Sequence, residues 1–270
     1  MTTLSLGLHR AGYELRSYFR SADQVFFTFL FPVFMLVLFA TVFGQLASGG
    51  GEGSDLPETS AGQYYLPGMI AAGLLLSGVQ NLAVDIAMER GDGTLKRLGG
   101  TPLSPGAYFL GKFVQVAATG ALQVVLLLVV GVTALGVRLP TSADRWLVFG
   151  WVFVLGLATS ALLGIALSAL PRSGRSATAV VIPPVMVLQF ISGVYIAFFL
   201  LPGWLQAVAS ALPLKWMAQG MRYVFLPDEY RGYEVGEIWN LTGIALALGI
   251  WLVVGVALAR LTFRWTRRDA

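Results

Sequence analysis

Long apolar runs separated by short polar segments dominate the pattern of this chain. A membrane-spanning helix needs about 20 consecutive apolar residues, and six runs approach or exceed that length. The pattern therefore predicts an all-α polytopic membrane protein with six transmembrane helices, the first of them kinked at Pro32. The predicted spans are 25–43, 64–84, 107–136, 146–170, 177 to about 191, and 238–258.

Residues 1–22 show a different pattern, in which apolar and charged positions separate onto two sides of a helix. Such a helix lies in the membrane interface, and this one is too charged to be a cleaved signal peptide. We expect an amphipathic elbow helix before the first span. Its apolar face holds Leu4, Leu8, Ala11, Leu15 and Phe19, while Arg10, Arg16 and Arg20 lie off that face.

The region 193–237 is apolar and aromatic but too often interrupted to cross the membrane. Pro183 and Pro184 break the fifth run, and Pro202 and Pro213 follow it. Irregular backbone at membrane depth is tolerated only where protein or water satisfies its polar groups. The pattern predicts short re-entrant or interfacial helices before the last span.

The distribution of basic residues predicts the orientation of the chain. Thirteen of the 18 Lys and Arg residues fall on the side of the N-terminus, so the positive-inside rule places both termini in the cytoplasm. The Gly-rich segment 49–60 has acidic but no basic residues and is expected outside. Four arginines, Arg260, Arg264, Arg267 and Arg268, are expected to end the chain at the cytoplasmic surface.

Composition excludes several classes of function. Of the 270 residues, 56% are hydrophobic and 12% charged, against about a quarter charged in soluble domains. The net charge of +4 does not indicate nucleic acid binding, because no soluble basic domain is present. Cysteine is absent and His9 is the only histidine, so we expect no metal site and no catalytic residues. The stretch from Gly106 to Lys112 begins like a phosphate loop, but Phe113 stands where magnesium binding needs Ser or Thr.

Two predicted spans carry small or polar residues at every fourth position, which places them on one helical face. In the second span these are Gly73, Ser77, Asn81 and Asp85, with Gln80 beside them. Polar groups in a span usually face protein or water. This face therefore either lines a route through the protein or packs against other helices, and in both interpretations it points toward the protein interior. The stripe of the fourth span, which we expect to pack closely against another helix, contains Gly156, Ser160, Gly164 and Ser168.

The segment 85–106 crowds charged residues between two apolar runs and predicts a polar turn at a membrane face, with one or two short amphipathic helices. A loop that merely satisfies the positive-inside rule is one explanation. However, the order Glu89-Arg90, Gly93-Thr94-Leu95 and Thr101-Pro102-Leu103-Ser104 resembles the cytoplasmic coupling segment of the type-2 ABC exporter permeases. This family includes the daunorubicin-type drug-resistance permeases. Gly91 and Lys96 stand where family members more often carry acids.

A second set of motifs supports the resemblance over essentially the whole chain. Ser192-Gly193-Val194-Tyr195, Leu201-Pro202, Leu212-Pro213-Leu214 and Arg222 are similar to the region that forms short external helices above the translocation route in this family. The resemblance implies a single transmembrane domain over 1–270. It also implies an external gate at Trp204, Leu205 and Pro213.

The resemblance further implies a bacterial-type cell membrane protein that works with two separately encoded ATPase subunits and a second permease copy, identical or paralogous. ATP and magnesium would bind the ATPases, and this chain would hold no cofactor. The cargo would be a hydrophobic or amphiphilic drug or lipid-like compound, or alternatively a lipid-linked glycan.

The residues expected to couple to the ATPase are Asp85, Glu89, Arg90, Gly93, Thr94 and Leu95. Those expected to line the substrate pathway are Ser77, Gln80, Asn81, Gln189, Ser192 and Tyr195.

A function from another class is an ATP-independent secondary transporter or channel, with the broken fifth span as its gate. Such a protein normally needs intramembrane carboxylates or an inverted repeat, and neither is visible. A membrane-embedded hydrolase or acyltransferase is disfavoured because no catalytic histidine is available.

Overall fold

The computed structural model describes residues 3–42, 44 and 59–263, and these form helices and turns with no strand among them. Six helices are long and apolar enough to cross a membrane, namely Ala22–Val42, Ala61–Gly91, Pro105–Leu135, Ala143–Leu167, Gly174–Ile191 and Leu241–Thr262. The prediction of an all-α polytopic membrane protein is confirmed. Most of segment 49–60 and the tail with Arg264, Arg267 and Arg268 lie outside the described residues. The helices are α1 (Thr3–Arg20), α2 (Ala22–Val42), α3 (Ala61–Gly91), α4 (Thr94–Gly99), α5 (Pro105–Leu135), α6 (Ala143–Leu167), α7 (Gly174–Ile191), α8 (Gly203–Ser210), α9 (Pro213–Phe225) and α10 (Leu241–Thr262).

Helix α3 is the centre of the bundle. It packs against α2, α5, α6, α7 and α9, and nearly every side chain from Ala61 to Val79 is buried. By contrast, α2, α7 and α10 leave large apolar side chains exposed along one face, as expected for helices in contact with lipid. Helix α3 also extends seven residues beyond the predicted end at residue 84, because Asp85 and Glu89 find polar partners on neighbouring helices.

Both α2 and α3 contain one wide π-helical turn, at Phe26–Leu30 and Leu76–Asn81 respectively. The turn in α2 comes just before Pro32, which has no N–H to donate to the carbonyl of the preceding turn. The two turns are joined by a hydrogen bond from Asn81 Nδ2 to Thr28 Oγ1 of 2.7 Å. Such turns insert an extra residue, so they shift the helical face that follows them.

The small-residue stripe of the fourth span packs against its neighbours as predicted. A Cβ at Gly164 of α6 would lie 2.1 Å from the carbonyl oxygen of Gly78 in α3. A Cβ at Gly78 would lie 2.4 Å from the Cβ atom of Ser160 in α6. Gly156 contacts Met217 of α9 in a similar way. Glycine is therefore required where α3 and α6 cross, because any side chain would push the two backbones apart.

The re-entrant region forms a cap over one end of the bundle, which we call the cap face; the opposite end, around α1 and α4, is the elbow face. The chain reverses at Gly193, whose φ of 77° is left-handed. Helix α9 is almost wholly buried against α3, α6 and α10. Arg222 forms an ion pair with Glu234 and donates to the carbonyl of Gly193 at 3.2 Å, which holds the cap to the end of α7. The prediction of short helices before the last span is confirmed, and their re-entrant position in the membrane stays a prediction.

We predict that Gly164→Ala destabilises the protein by about 1–3 kcal/mol, the usual cost of overpacking a close contact. The added methyl group would meet backbone of α3, which cannot yield as a flexible side chain can. Thermal and denaturant unfolding in detergent micelles would measure the loss. Gly150→Ala is the matched control on the same helix, since a Cβ there meets nothing within 4 Å. Equal stability of the two variants would contradict the close α3–α6 crossing.

Candidate functional site

Five side chains from three helices meet at the elbow face in what we call the elbow cluster: Arg10 and Glu14 of α1, Glu89 of α3, and Tyr108 and Lys112 of α5. Lys112 Nζ lies 2.9 Å from both Glu14 Oε2 and Glu89 Oε1. Arg10 Nη2 lies 2.5 Å from Glu14 Oε1 and 3.2 Å from Glu89 Oε1. The Tyr108 hydroxyl donates to Glu89 Oε2 at 2.6 Å. Three of the four carboxylate oxygens accept hydrogen bonds, whereas Glu14 Oε1 has only the ion contact with Arg10.

Local sequence explains how α1 approaches α5 closely enough for this cluster. A Cβ at Gly111 would lie 2.7 Å from Arg10 Cγ, and one at Gly7 would lie 2.6 Å from Leu110 Cδ2. Arg10 and Glu14 are one helical turn apart and therefore point to the same side. Lys112 is only 1% exposed. Removing one partner from such a buried ion pair leaves an uncompensated charge, so the cluster holds the three helices together.

The predicted coupling residues mostly face the protein interior and support the turn between α3 and α5. Arg90 donates to the backbone oxygen of Ser168 at 2.5 Å, which ties the end of α3 to the end of α6. Leu95 is fully buried, and Gly93 has a left-handed φ of 79° that lets α4 begin. The backbone N–H of Thr94 donates to Asp92 Oδ1 at 2.8 Å. A coupling role for these residues stays a prediction.

The surface of this turn is formed by other side chains. Asp92, Lys96 and Arg97 are exposed on and before α4. Asp85, the first residue of the predicted segment, is half-buried and accepts a hydrogen bond from Gln24 Nε2 at 2.5 Å. Any protein that docks on this face therefore meets Lys96 and Arg97, while Asp85 and Glu89 act beneath the surface.

An apolar groove of about 230 Å³ runs between α2, α3 and α7, and we call it the α2–α7 groove. Three predicted pathway residues line it, namely Gln80, Gln189 and Tyr195. The Tyr195 hydroxyl donates to Gln189 Oε1, and burial raises the pKa of Tyr195 to about 12, so its hydroxyl remains a donor. The rest of the wall is aromatic or aliphatic and includes Phe27, Phe31, Met35, Phe39, Leu76, Ile182, Met186 and Phe190.

The other three predicted pathway residues do not line the groove. Ser77 and Ser192 are almost completely buried, and Asn81 is engaged by Thr28. For the two residues of α3, the π turn at Leu76–Asn81 is the physical reason, since its extra residue breaks the regular fourfold spacing of the stripe. The predicted single polar face is therefore split in two.

The three predicted gate residues all lie in the cap. Trp204 is 69% exposed on α8, as is typical of an aromatic side chain at a membrane interface. Leu205 packs against the small cap core of Phe198, Leu201 and Ala209. Pro213 is buried as the first residue of α9. A gating role for these residues stays a prediction.

Sequence reasoning missed most of the elbow cluster. The sequence pattern places Arg10 off the apolar face of an interfacial helix and Lys112 near the start of the third span, and it gives Glu14 and Tyr108 no role. One signal was available: Lys112 lies several residues inside an apolar run, and a charge there usually has a partner. No group of three metal-binding side chains converges anywhere in the described part of the chain.

Comparison with known proteins places residues 11–226 within the family model described as ABC-2 type transporter. The chain is 24% identical over 230 residues to the "Probable doxorubicin resistance ABC transporter permease protein DrrC" of Mycobacterium tuberculosis, covering 83% of this chain and 78% of that protein. It is 23% identical over 198 residues to the "Inner membrane transport permease YadH" of Escherichia coli, covering 72% and 74%. It is 23% identical over 186 residues to the "Probable multidrug ABC transporter permease YbhR" of Escherichia coli, covering 69% of this chain and 50% of that protein.

We predict that Lys112→Met lowers the free energy of unfolding by about 3–5 kcal/mol. Arg10 alone would then have to balance the charges of the two carboxylates, Glu14 and Glu89. Unfolding in detergent micelles at pH 7 would measure the loss. Lys96→Met is the matched control, since Lys96 is exposed on α4 and its replacement should cost less than about 0.5 kcal/mol. If both variants unfolded alike, the cluster would not hold the elbow helix.

The cap generates a prediction about pH. Lys215 of α9 is buried over the ring of Trp216 at 3.9 Å, and burial lowers its pKa from 10.5 to about 8. The unfolded chain therefore binds more protons than the folded protein between these values, so the contribution of Lys215 to stability rises with pH across that window.

The unfolding midpoint of the native protein should rise from pH 8 to about 9, where tyrosines with the ordinary pKa of about 10 are still mostly protonated. Lys215→Met should lack this rise, whereas Lys96→Met should retain it. A native midpoint that falls or stays level over this range would show that burial does not lower the pKa of Lys215.

Proposed function

The chain belongs to the ABC-2 type transporter family, and from this premise we propose that it is the membrane-spanning permease of an ATP-driven exporter. The proposed cargo is a hydrophobic or amphiphilic compound that leaves the cytoplasm or the inner leaflet. The observation that carries this proposal is the α2–α7 groove, whose wall is apolar except for Gln80, Gln189 and Tyr195. Such a wall provides area for an apolar cargo and a few hydrogen bonds to orient it.

The size of the groove supports a second permease copy. At about 230 Å³ it is smaller than the 300–1,000 Å³ typical of small-molecule sites. Helices α2 and α7 also leave apolar faces exposed beside it. Two copies, identical or paralogous, that meet along these helices would join two grooves into one route. This arrangement places the cargo between the α3 and α7 helices of the two protomers.

The elbow face supports docking of ATPase subunits. The family works with such subunits, and we propose two of them beneath the permease pair, on the cytoplasmic side of a bacterial-type membrane. They would meet α4 through the exposed Lys96 and Arg97. Force on α4 would pass to α3 through the buried Leu95. Arg90 would pass it on from α3 to the end of α6, and α3 forms one wall of the groove. ATP and magnesium would stay with the ATPases.

The test is ATPase activity of the complex formed when this chain is co-expressed with an ATPase encoded beside it and reconstituted in lipid nanodiscs. Doxorubicin and lysophosphatidylcholine serve as amphiphilic probes. Lys96→Glu combined with Arg97→Glu should weaken co-purification by about tenfold, because it reverses the charge of the exposed α4 surface. Arg138→Glu, on the cap face, is the matched control and should leave assembly intact.

Met186→Trp should fill the groove, so the complex should still assemble but lose stimulation by the probes. Leu246→Trp places the same ring on the exposed face of α10 and is its control. If no ATPase associated and the chain moved solutes down an ion gradient alone, the exporter proposal would be wrong. Stimulation by lipid-linked glycans and not by either probe would refute the proposed cargo class.

A further inference from the structure

A second cavity, of about 170 Å³, lies beneath α1 at the elbow face, between the ends of α1, α3 and α5. We infer that this cavity binds an organic ammonium group, with Asp85 as its counter-ion and Gln115 as a hydrogen-bond acceptor. The inference is independent of the exporter proposal, because it concerns a binding site within this chain and requires neither an ATPase nor transport.

The charges around the cavity are unbalanced. Among the described residues that line it, four are carboxylates, namely Glu14, Asp85, Glu89 and Asp92, and one is an amine, Lys112. Lys112 is already engaged by Glu14 and Glu89. Arg10 neutralises the same two glutamates. Asp85 and Asp92 therefore supply the excess negative charge that faces the cavity.

Neither aspartate forms an ion pair with another described residue. Asp85 accepts only an amide hydrogen bond from Gln24, and Asp92 accepts the backbone N–H of Thr94. Asp92 is exposed and lies at the mouth, while Asp85 is half-buried and lies further along α3. A cation that enters past Asp92 would meet Asp85 next.

Gln115 gives an independent indication of a ligand. It lines the same cavity, is 2% exposed, and its Oε1 is buried without a hydrogen-bond partner. Leaving a buried acceptor unpaired costs about 1–3 kcal/mol. Gln115 Oε1 and the Asp85 carboxylate line the same cavity, and a single group that donates a hydrogen bond and carries positive charge would satisfy both.

An ammonium group fits these acceptors better than a metal ion. No three metal-binding side chains of the described residues converge here or elsewhere, whereas hard divalent cations take six or more oxygen ligands. A primary ammonium needs only two or three acceptors and carries N–H donors. A quaternary ammonium has none and could not satisfy Gln115 Oε1. The two acceptors therefore favour an ammonium group that carries N–H donors, of which a primary amine has the most, on either a lipid headgroup or a soluble amine.

The experiment uses the full chain in nanodiscs of phosphatidylcholine and phosphatidylglycerol, and follows its thermal unfolding with n-butylammonium chloride. A ligand that binds only the folded protein raises the midpoint, and the rise grows with the ratio of its free concentration to its Kd. The comparison compound is n-butyltrimethylammonium chloride at the same concentration, which keeps ionic strength equal. We expect a rise with the primary amine that clearly exceeds the rise with the quaternary one.

Asp85→Asn keeps the shape of the side chain and its acceptor for Gln24, so it should fold while needing about tenfold more n-butylammonium for the same rise. Gln115→Met removes the unpaired acceptor and should erase the preference for the primary amine. Asp144→Asn, an exposed acid on the cap face, is the matched control and should respond as the native protein does.

Equal midpoint rises for the two amines, or an unchanged response in Asp85→Asn, would overturn the inference. A rise with magnesium chloride that depends on Asp85 would overturn it as well, in favour of a metal site. Nanodiscs that contain phosphatidylethanolamine separate the two sources. Loss of the butylammonium response there assigns the site to a lipid headgroup, and its persistence assigns the site to a soluble amine.

Discussion

The structure depends on the ion pairing of Lys112, because an ammonium group inside an apolar bundle must find opposite charge within the protein. Glu14 and Glu89 supply that charge from two different helices. The pairing consequently sets where α1 lies against α5 and how far α3 extends. The second predicted span ends near residue 84, but helix α3 continues to Gly91 because its polar side chains find partners on neighbouring helices.

Helix α3 is held at both ends by polar contacts. At the elbow face Glu89 joins the cluster and Arg90 binds Ser168. At the cap face Gln63 accepts the N–H of Arg138 at 2.7 Å and donates to the carbonyl of Phe225 at 2.5 Å. Between these anchors lies the π turn, with the close glycine crossing of α6 on one side and Gln80 in the groove on the other. The residues of α3 that form the groove therefore lie between its two anchored ends.

Hydrophobic periodicity predicted the six spans, the elbow helix and the broken cap, because burial in lipid imposes a length and a composition that a single sequence reveals. It did not predict the elbow cluster, since Arg10 and Lys112 are about a hundred residues apart and nothing local indicates that they meet. It also misplaced Ser77, whose regular spacing from Gly73 suggested one continuous face. A π turn changes that spacing, and its position depends on packing between helices.

The α2–α7 groove and the cavity beneath α1 lie one after the other along helices α2 and α3. On α2, Gln24 lines the cavity and Phe27, one turn later, lines the groove. On α3, Asp85 lines the cavity and Gln80, across the π turn, lines the groove. The hydrogen bond between Asn81 and Thr28 lies between the two spaces. The two spaces therefore present, in this order along α2 and α3, the two chemistries of an amphiphile with an ammonium head and an apolar tail.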